Sequence, residues 1–390
     1  MNASPRRLRF FPWFVLGAVG LPAVAGGALL LWRPEDISPS FVTTLVVAAV
    51  VASIWAAVAG RRATSALFAV SVFSILLVWP EIGLRIRGFH FDRAGVLQFG
   101  YPNPERMLRL EKDPDLFWKL PANTPGINSL GYVGDDFEVP KPEGVYRMVF
   151  YGDSCTYQGF PLGVAMMLSR QSFDPRRVEA INFGVVGYSS YQGKVLAERW
   201  VDRLAADVGI IYFGWNDHWQ AYGAVDSKKD PWGDRSLLVK VGKSSRFVQW
   251  VSSLAIPSRV EPGSLPRVPI DEYRSNLETI GRRIEENGGR VLLVTAASAH
   301  IRRGAPDHLI ERGFAANKTN VIEWHRQYND VVRELAGARG WSLLDLEREA
   351  QEHPEFEEVF RKDGIHFTDK GLFWVSSRMT QVILTEFLGQ

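Results

Sequence analysis

The run Arg147-Met-Val-Phe-Tyr-Gly-Asp-Ser-Cys-Thr156 carries the clearest structural signal in the chain. Arg147 to Tyr151 is short and apolar, with one β-branched and two aromatic residues, and reads as a buried strand. Gly152 ends it, and Asp153, Ser154 and Thr156 are cap-type residues that announce a helix. A serine at such a turn lies at the carboxyl edge of a sheet, where open α/β folds place their ligands. It also lies beside free helix N–H groups that favour negative charge. That is the position wanted for a nucleophile attacking a carbonyl. Taken alone, Gly-Asp-Ser reads more readily as an ordinary turn, so its weight depends on what surrounds it.

Outward from this strand, short apolar runs alternate with amphipathic stretches. Strands are expected at Arg147–Tyr151, Val178–Phe183, Val208–Phe213, Arg290–Ala296 and Trp341–Leu346. Helices are expected at Pro161–Ser169, Tyr191–Leu204, Ile270–Glu286, Asn317–Ala336 and Asp369–Phe387. In the third helix Ile270, Tyr273, Leu277, Ile280 and Ile284 share one face, and Asn287-Gly-Gly289 stops it. This alternation implies an α/β class with a parallel sheet covered on both faces. Tyr222–Val268, rich in Asp, Lys, Ser, Pro and Gly, is the longest irregular stretch and is expected to act as a lid or binding loop.

With 45 basic and 43 acidic residues among 390, the net charge of +2 argues against binding nucleic acid through bulk charge. Cys155 is the single cysteine, which excludes an internal disulfide and leaves the redox compartment open. Residues 1–88 differ in composition from the rest and hold three apolar runs, at about 11–32, 41–60 and 63–80. Each approaches the ~20 residues that span a bilayer, so three transmembrane helices are expected. Trp13, Trp32 and Trp79 lie at run ends, as interfacial aromatics do. Arg6, Arg7 and Arg9 precede the first run and Arg61 and Arg62 follow the second, which puts the N-terminus in the cytoplasm and all after Trp79 outside it. Arg85 and Arg87 oppose this weakly. The first run also has features of a cleaved signal peptide, including Ala23-Val-Ala25, but is long for one. Residues 89–144, with Pro102, Pro104, Pro114, Pro121, Pro125, Pro140 and Pro142, read as an ordered, mostly irregular lead-in packing on the domain at 145–390.

Further stretches fall at expected strand ends. In Asn182-Phe-Gly-Val-Val-Gly187, Gly187 lets the backbone approach a substrate and offers its N–H to an oxyanion. In Gly214-Trp-Asn-Asp217, the Asn216 amide is a neutral donor for the same oxyanion. In Asp363-Gly-Ile-His366, the carboxylate can bond one imidazole nitrogen and leave the other to take a proton from a serine. Each signal is weak singly, since turn glycines and asparagines are common. Asp153, Asp217, His218, Trp219 and His300 are candidates for substrate contact at the cleft rim, while mid-helix His325 reads as structural. Cys155 reads as a small packing residue beside the serine. No zinc-type spacing or phosphate loop is present, so neither a metal nor a cofactor is expected.

Together the blocks resemble the SGNH (GDSL-type) hydrolase superfamily: Gly152-Asp-Ser154, Gly187 in its Asn-x-x-x-x-Gly context, Gly214-x-Asn216 and Asp363-x-x-His366. The resemblance covers about Val145 to Gln390. It implies a three-layer α/β/α, flavodoxin-like domain with a five-stranded parallel sheet in the order 2-1-3-4-5. It also implies Ser154 as nucleophile, His366 as base and Asp363 as its orienter, with the Ser154 N–H, the Gly187 N–H and the Asn216 side chain as oxyanion donors. One departure is Gln158, which stands where the family often has Gly; Gly159 follows, so the first helix is expected one residue late. The apolar runs and the lead-in Asn128-Ser-Leu-Gly-Tyr-Val133 are similar to those of membrane-anchored bacterial members.

That similarity implies a multi-pass protein of the bacterial inner membrane with a periplasmic catalytic domain. Its expected activity is an esterase or deacylase acting on an O-acylated envelope carbohydrate or lipid. The alternative is an O-acetyltransferase modifying an extracytoplasmic polysaccharide. Three helices are too few to carry acyl groups across a membrane, so transfer calls for a membrane acyl-donor partner. A non-catalytic envelope assembly subunit is the third reading.

Overall fold

In the computed structural model of the chain, which describes residues 78–89, 110–171, 176–221, 224–229, 245–255 and 265–390 with isolated positions before them, two units form. One comprises residues 1–91 with 235–257, and the other residues 92–234 with 258–390. The apolar runs at 11–32, 41–60 and 63–80 lie almost wholly outside the described residues. Among the described residues no helix is long and apolar enough to cross a membrane.

In the larger unit the strands are β1 Glu111–Asp113, β2 Phe117–Lys119, β3 Val145–Gly152, β4 Arg177–Asn182, β5 Val208–Tyr212, β6 Arg290–Val294 and β7 Ser342–Leu344. The last five make one parallel sheet in the order β4-β3-β5-β6-β7, the 2-1-3-4-5 order the family resemblance implied. Side chains alternate across the central strand. Tyr146, Met148 and Phe150 enter the core shared with helices Phe160–Ser169 and Asp369–Val382. Val149 and Tyr151 enter the opposite core, shared with Ser190–Leu204, Ile270–Glu286 and most of Lys318–Arg339. Both faces are therefore covered, which is why β3 is buried along its whole length.

Arg147 is buried within that strand. Its guanidinium pairs with Glu179 of β4 and donates to the carbonyls of Leu204 (2.9 Å) and Glu138 (2.7 Å), so the charge is compensated in place.

Two expectations need revising, the end of the last strand and the long irregular stretch, and the lead-in gains a local detail. The strand expected to run to Leu346 ends at Leu344, because Asp345 caps a helix over Leu346–Glu352. Within the described part of the lead-in, β1 and β2 pair as a short antiparallel hairpin, and Val133 bridges to Asn182 at the end of β4. Phe117, Trp118, Leu120 and Tyr132 join the core of the larger unit, with Tyr132 4.4 Å from Phe183 between ring centroids. Finally, the stretch expected as one long irregular loop contains a helix, Arg246–Ala255, in the smaller unit. Glu81, on the helix Trp79–Ile86, accepts from the N–H groups of Arg246 (2.9 Å) and Phe247 (2.7 Å) and so caps that helix from outside.

Candidate active site

The turn after β3 is built for close approach. Gly152 admits no side chain, because a Cβ there would collide with the Thr156 hydroxyl. Asp153 N-caps the one-turn helix Ser154–Tyr157, its carboxylate accepting from the Cys155 N–H at 2.8 Å. Gly159, at φ +103°, then redirects the chain into the helix Phe160–Ser169.

Ser154, His366 and Asp363 meet in one chain of contacts. His366 Nε2 lies 2.8 Å from Ser154 Oγ, and His366 Nδ1 lies 2.8 Å from Asp363 Oδ2. The other oxygen of Asp363 accepts from the N–H groups of Ile365 (2.9 Å) and His366 (3.0 Å), which fixes the carboxylate in its own turn. Burial raises the Asp363 carboxyl, but the His366 hydrogen bond and charge outweigh it and hold the group at about 2. Asp363 is therefore ionised at neutral pH. With Nδ1–H donated to that carboxylate, Nε2 is left as the acceptor for the serine proton.

The oxyanion candidates lie on the loops that follow β4 and β5. Gly187 adopts φ +83°, a conformation that favours glycine. One N–H of the Asn216 amide is donated to the Tyr188 carbonyl at 3.0 Å, and its second hydrogen remains available. Asn182 holds this loop to the nucleophile turn: its amide donates to the Thr156 carbonyl (3.0 Å) and its oxygen accepts from the Gly184 N–H (2.8 Å).

The residues expected at a cleft rim are buried instead. Asp153 is a cap, and burial pushes its carboxyl up to about 6. Asp217 accepts from the Ser190 N–H at 2.8 Å, at the start of helix Ser190–Leu204, and burial pushes it up to about 7. His218 and His325 form a buried pair, 3.2 Å apart. Since His325 Nε2 donates to the Ala296 carbonyl (2.8 Å), its Nδ1 accepts from His218 Nε2. Burial keeps both rings neutral. Trp219 packs against Trp215, His218 and Phe314. His300 donates from Nε2 to the Asp363 carbonyl at 2.7 Å, supporting the turn of the triad from behind. Polar residues beside a motif drew the rim assignment, but polar type does not report burial.

Gln158 was noticed only as a departure from the family pattern. Its side chain forms a reciprocal pair with the backbone of Phe367, donating to the carbonyl and accepting from the N–H at 2.9 Å each. The residue that replaces the usual glycine thus ties the serine turn to the histidine turn. Cys155 is fully buried against the Ile365 carbonyl (3.6 Å), and burial raises its thiol, so it is no rival nucleophile. Among the described residues no group of three or more His, Cys, Asp or Glu side chains is arranged to hold a metal ion.

A family model described as GDSL-like Lipase/Acylhydrolase matches residues 150–372. No curated protein matches the chain. Among solved structures, a lipase/acylhydrolase from Enterococcus faecalis is 19% identical, covering 62% of this chain and 96% of its own, with a TM-score of 0.39. The acetyl xylan esterase AlAXEase is 17% identical, covering 61% and 99%, with a TM-score of 0.39. A catalytic mutant of an acetylxylan esterase from Geobacillus stearothermophilus is 14% identical, covering 62% and 93%, with a TM-score of 0.38. At these scores the structural likenesses carry no argument of their own.

Proposed function

The chain belongs to the GDSL-like lipase/acylhydrolase family, and on that footing we propose that it is a membrane-anchored serine esterase that deacylates an O-acylated cell-envelope carbohydrate or lipid. The observation that carries the catalytic part is the unbroken chain from Ser154 Oγ through His366 to Asp363, at 2.8 Å for each link. His366 takes the serine proton as Oγ attacks the ester carbonyl. Charge on the carbonyl oxygen is met by the N–H groups of Ser154 and Gly187 and by the Asn216 amide. The alcohol leaves with the proton returned by His366, and water then attacks the acyl-serine by the same route in reverse.

The His366 side chain is 27% exposed, so water can reach the acyl-serine beside its base. The membrane anchor and the extracytoplasmic placement rest on the three apolar runs and their flanking arginines. A lipid bilayer and an acylated envelope glycan or lipid are the implied partners.

Incubation of the full-length chain with an O-acetylated oligosaccharide tests this. Acetate release in the wild type that disappears in Ser154→Ala is the expected result. Acetylated oligosaccharide formed from a donor, without free acetate, favours instead the transferase alternative, for which a membrane acyl-donor partner is the implied source of acyl groups. Failure of Ser154 to react with a fluorophosphonate removes the serine mechanism altogether.

A further inference from the structure

Three consecutive carbonyls of the oxyanion loop are each taken by a side chain from a different part of the chain. The Trp118 indole Nε1 donates to the Val186 carbonyl at 3.0 Å. Arg267 Nη1 donates to the Gly187 carbonyl at 2.9 Å. The Asn216 amide donates to the Tyr188 carbonyl at 3.0 Å. Asn216 belongs to a recognised block. Trp118 and Arg267 do not: Trp118 lies on β2 of the lead-in, upstream of residues 150–372, and Arg267 follows the long excursion after β5.

We propose that Trp118 and Arg267 are positioning residues that aim the Gly187 N–H into the oxyanion hole. The proposal rests on the esterase reading above, in which that N–H meets the developing charge.

The peptide unit is planar and trans, so the Val186 carbonyl and the Gly187 N–H point in opposite directions from one rigid plate. A donor on the carbonyl therefore fixes the direction of the N–H. By polarising the amide it also makes that N–H a better donor. Glycine has no side chain to restrict it, so both of its flanking peptides need an external hold if φ +83° is to persist. Trp118 supplies the hold on one side and Arg267 the hold on the other.

Each holder is itself fixed. The Tyr188 hydroxyl donates to the Trp118 carbonyl at 2.6 Å, so loop and hairpin grip one another in both directions. The guanidinium of Arg267 is fully buried against the equally buried carboxylate of Asp226, with Nη2 to Oδ2 at 2.7 Å and Nε to the same oxygen at 3.1 Å. Asp226 also accepts from Ser189 Oγ at 2.8 Å, two residues beyond Gly187. A fully buried ion pair is a costly way to stabilise a fold. Directed at one carbonyl of the catalytic loop, it holds orientation. The pair also closes the neck of the excursion, because the Asp226 N–H donates to the Arg267 carbonyl at 2.8 Å.

Trp118→Phe in the full-length chain removes the indole donor and keeps an aromatic ring. Loss of a whole oxyanion donor costs on the order of 10²–10³ in kcat, and misdirecting one is expected to cost roughly 10-fold or more. With 4-nitrophenyl acetate, kcat should fall by that factor while KM stays within about twofold. Affinity for a trifluoromethyl ketone, which forms a tetrahedral oxyanion adduct on the serine, should weaken in parallel, and the melting temperature should move little. The triple variant Asp226→Asn, Lys229→Met and Arg267→Gln removes the second hold together with every member of its buried charge cluster, since Lys229 lies 3.7 Å from Asp226, and should show the same pattern. A kcat within about twofold of wild type in both variants, or a loss of kcat that ketone affinity does not follow, overturns the proposal while the esterase reading stands. A wild-type chain that neither turns over the ester nor binds the ketone overturns both.

Discussion

The two halves of the active site are built differently. On the triad side, Ser154, His366 and Asp363 are joined by direct side-chain contacts, and the imidazole and carboxylate are 27% and 30% exposed. Two of the three lie within one turn of chain, so the geometry is largely local. On the oxyanion side the loop Val185–Ser190 is buried, and its carbonyls are held by side chains distant in sequence, 68 residues for Trp118, 80 for Arg267 and 28 for Asn216. The groups that exchange protons need water and substrate within reach. The groups that only hold a charge need fixed dipoles in a dry surrounding, and that requires the whole domain.

The comparison is broken most severely by Ser154→Ala. Turnover of 4-nitrophenyl acetate should fall by several orders of magnitude, because no other group in the site carries an activated nucleophile. Activity close to wild type in that variant would remove the triad from the mechanism. Asn216→Ala tests the oxyanion half and should lower kcat by ~10²–10³ with KM nearly unchanged in steady-state assays. Gln158→Ala loses the reciprocal pair with Phe367 that couples the serine and histidine turns. A loss of roughly 10-fold in kcat, with a modest fall in melting temperature, is expected from a displaced triad. An unchanged kcat would show that the two turns are registered by other contacts.

Asp217 sharpens the comparison through pH. Its folded carboxyl stands at about 7, above its ordinary value near 3.8, because burial penalises the charge. The native state therefore keeps a proton that the unfolded chain gives up. The stability this contributes is fully present below pH ~4 and is lost as pH rises through about 7. Asp217→Asn preserves an oxygen for the Ser190 N–H and should flatten the dependence, with a wild-type deficit of up to a few kcal/mol at neutral pH, at ~1.4 kcal/mol per pKa unit. Denaturant unfolding of both proteins at pH 4.5 and 8 measures the difference. The smallest effect expected is none: iodoacetamide should leave esterase activity intact, since the buried Cys155 thiol is held protonated.

Much of this architecture was legible in the residues. Ile270, Tyr273, Leu277, Ile280 and Ile284 mark a helix that the structure places at Ile270–Glu286, the same bounds as expected. Local chemistry also identified the serine turn and the Asp363–His366 turn. The β1–β2 hairpin escaped notice because its strands are three residues each, too short for a periodic pattern. The helix Arg246–Ala255 escaped because its flanks are polar, and its cap, Glu81, lies 165 residues from the Arg246 N–H it accepts from.

Periodicity, caps and short motifs act over a few residues, so the chain alone set the alternation of strands and helices and offered candidates for nucleophile, base and oxyanion donors, whose roles the family resemblance implied. The strand order came from family resemblance and is matched by the observed pairing. Burial and distant partnership belong to the folded state only. Nothing near His300 in the chain reveals that its imidazole supports Asp363, and nothing near Trp118 reveals that its indole orients a catalytic peptide. A hydrogen bond between residues far apart in sequence leaves no periodic trace, and a polar side chain looks the same in a linear reading whether it faces solvent or core.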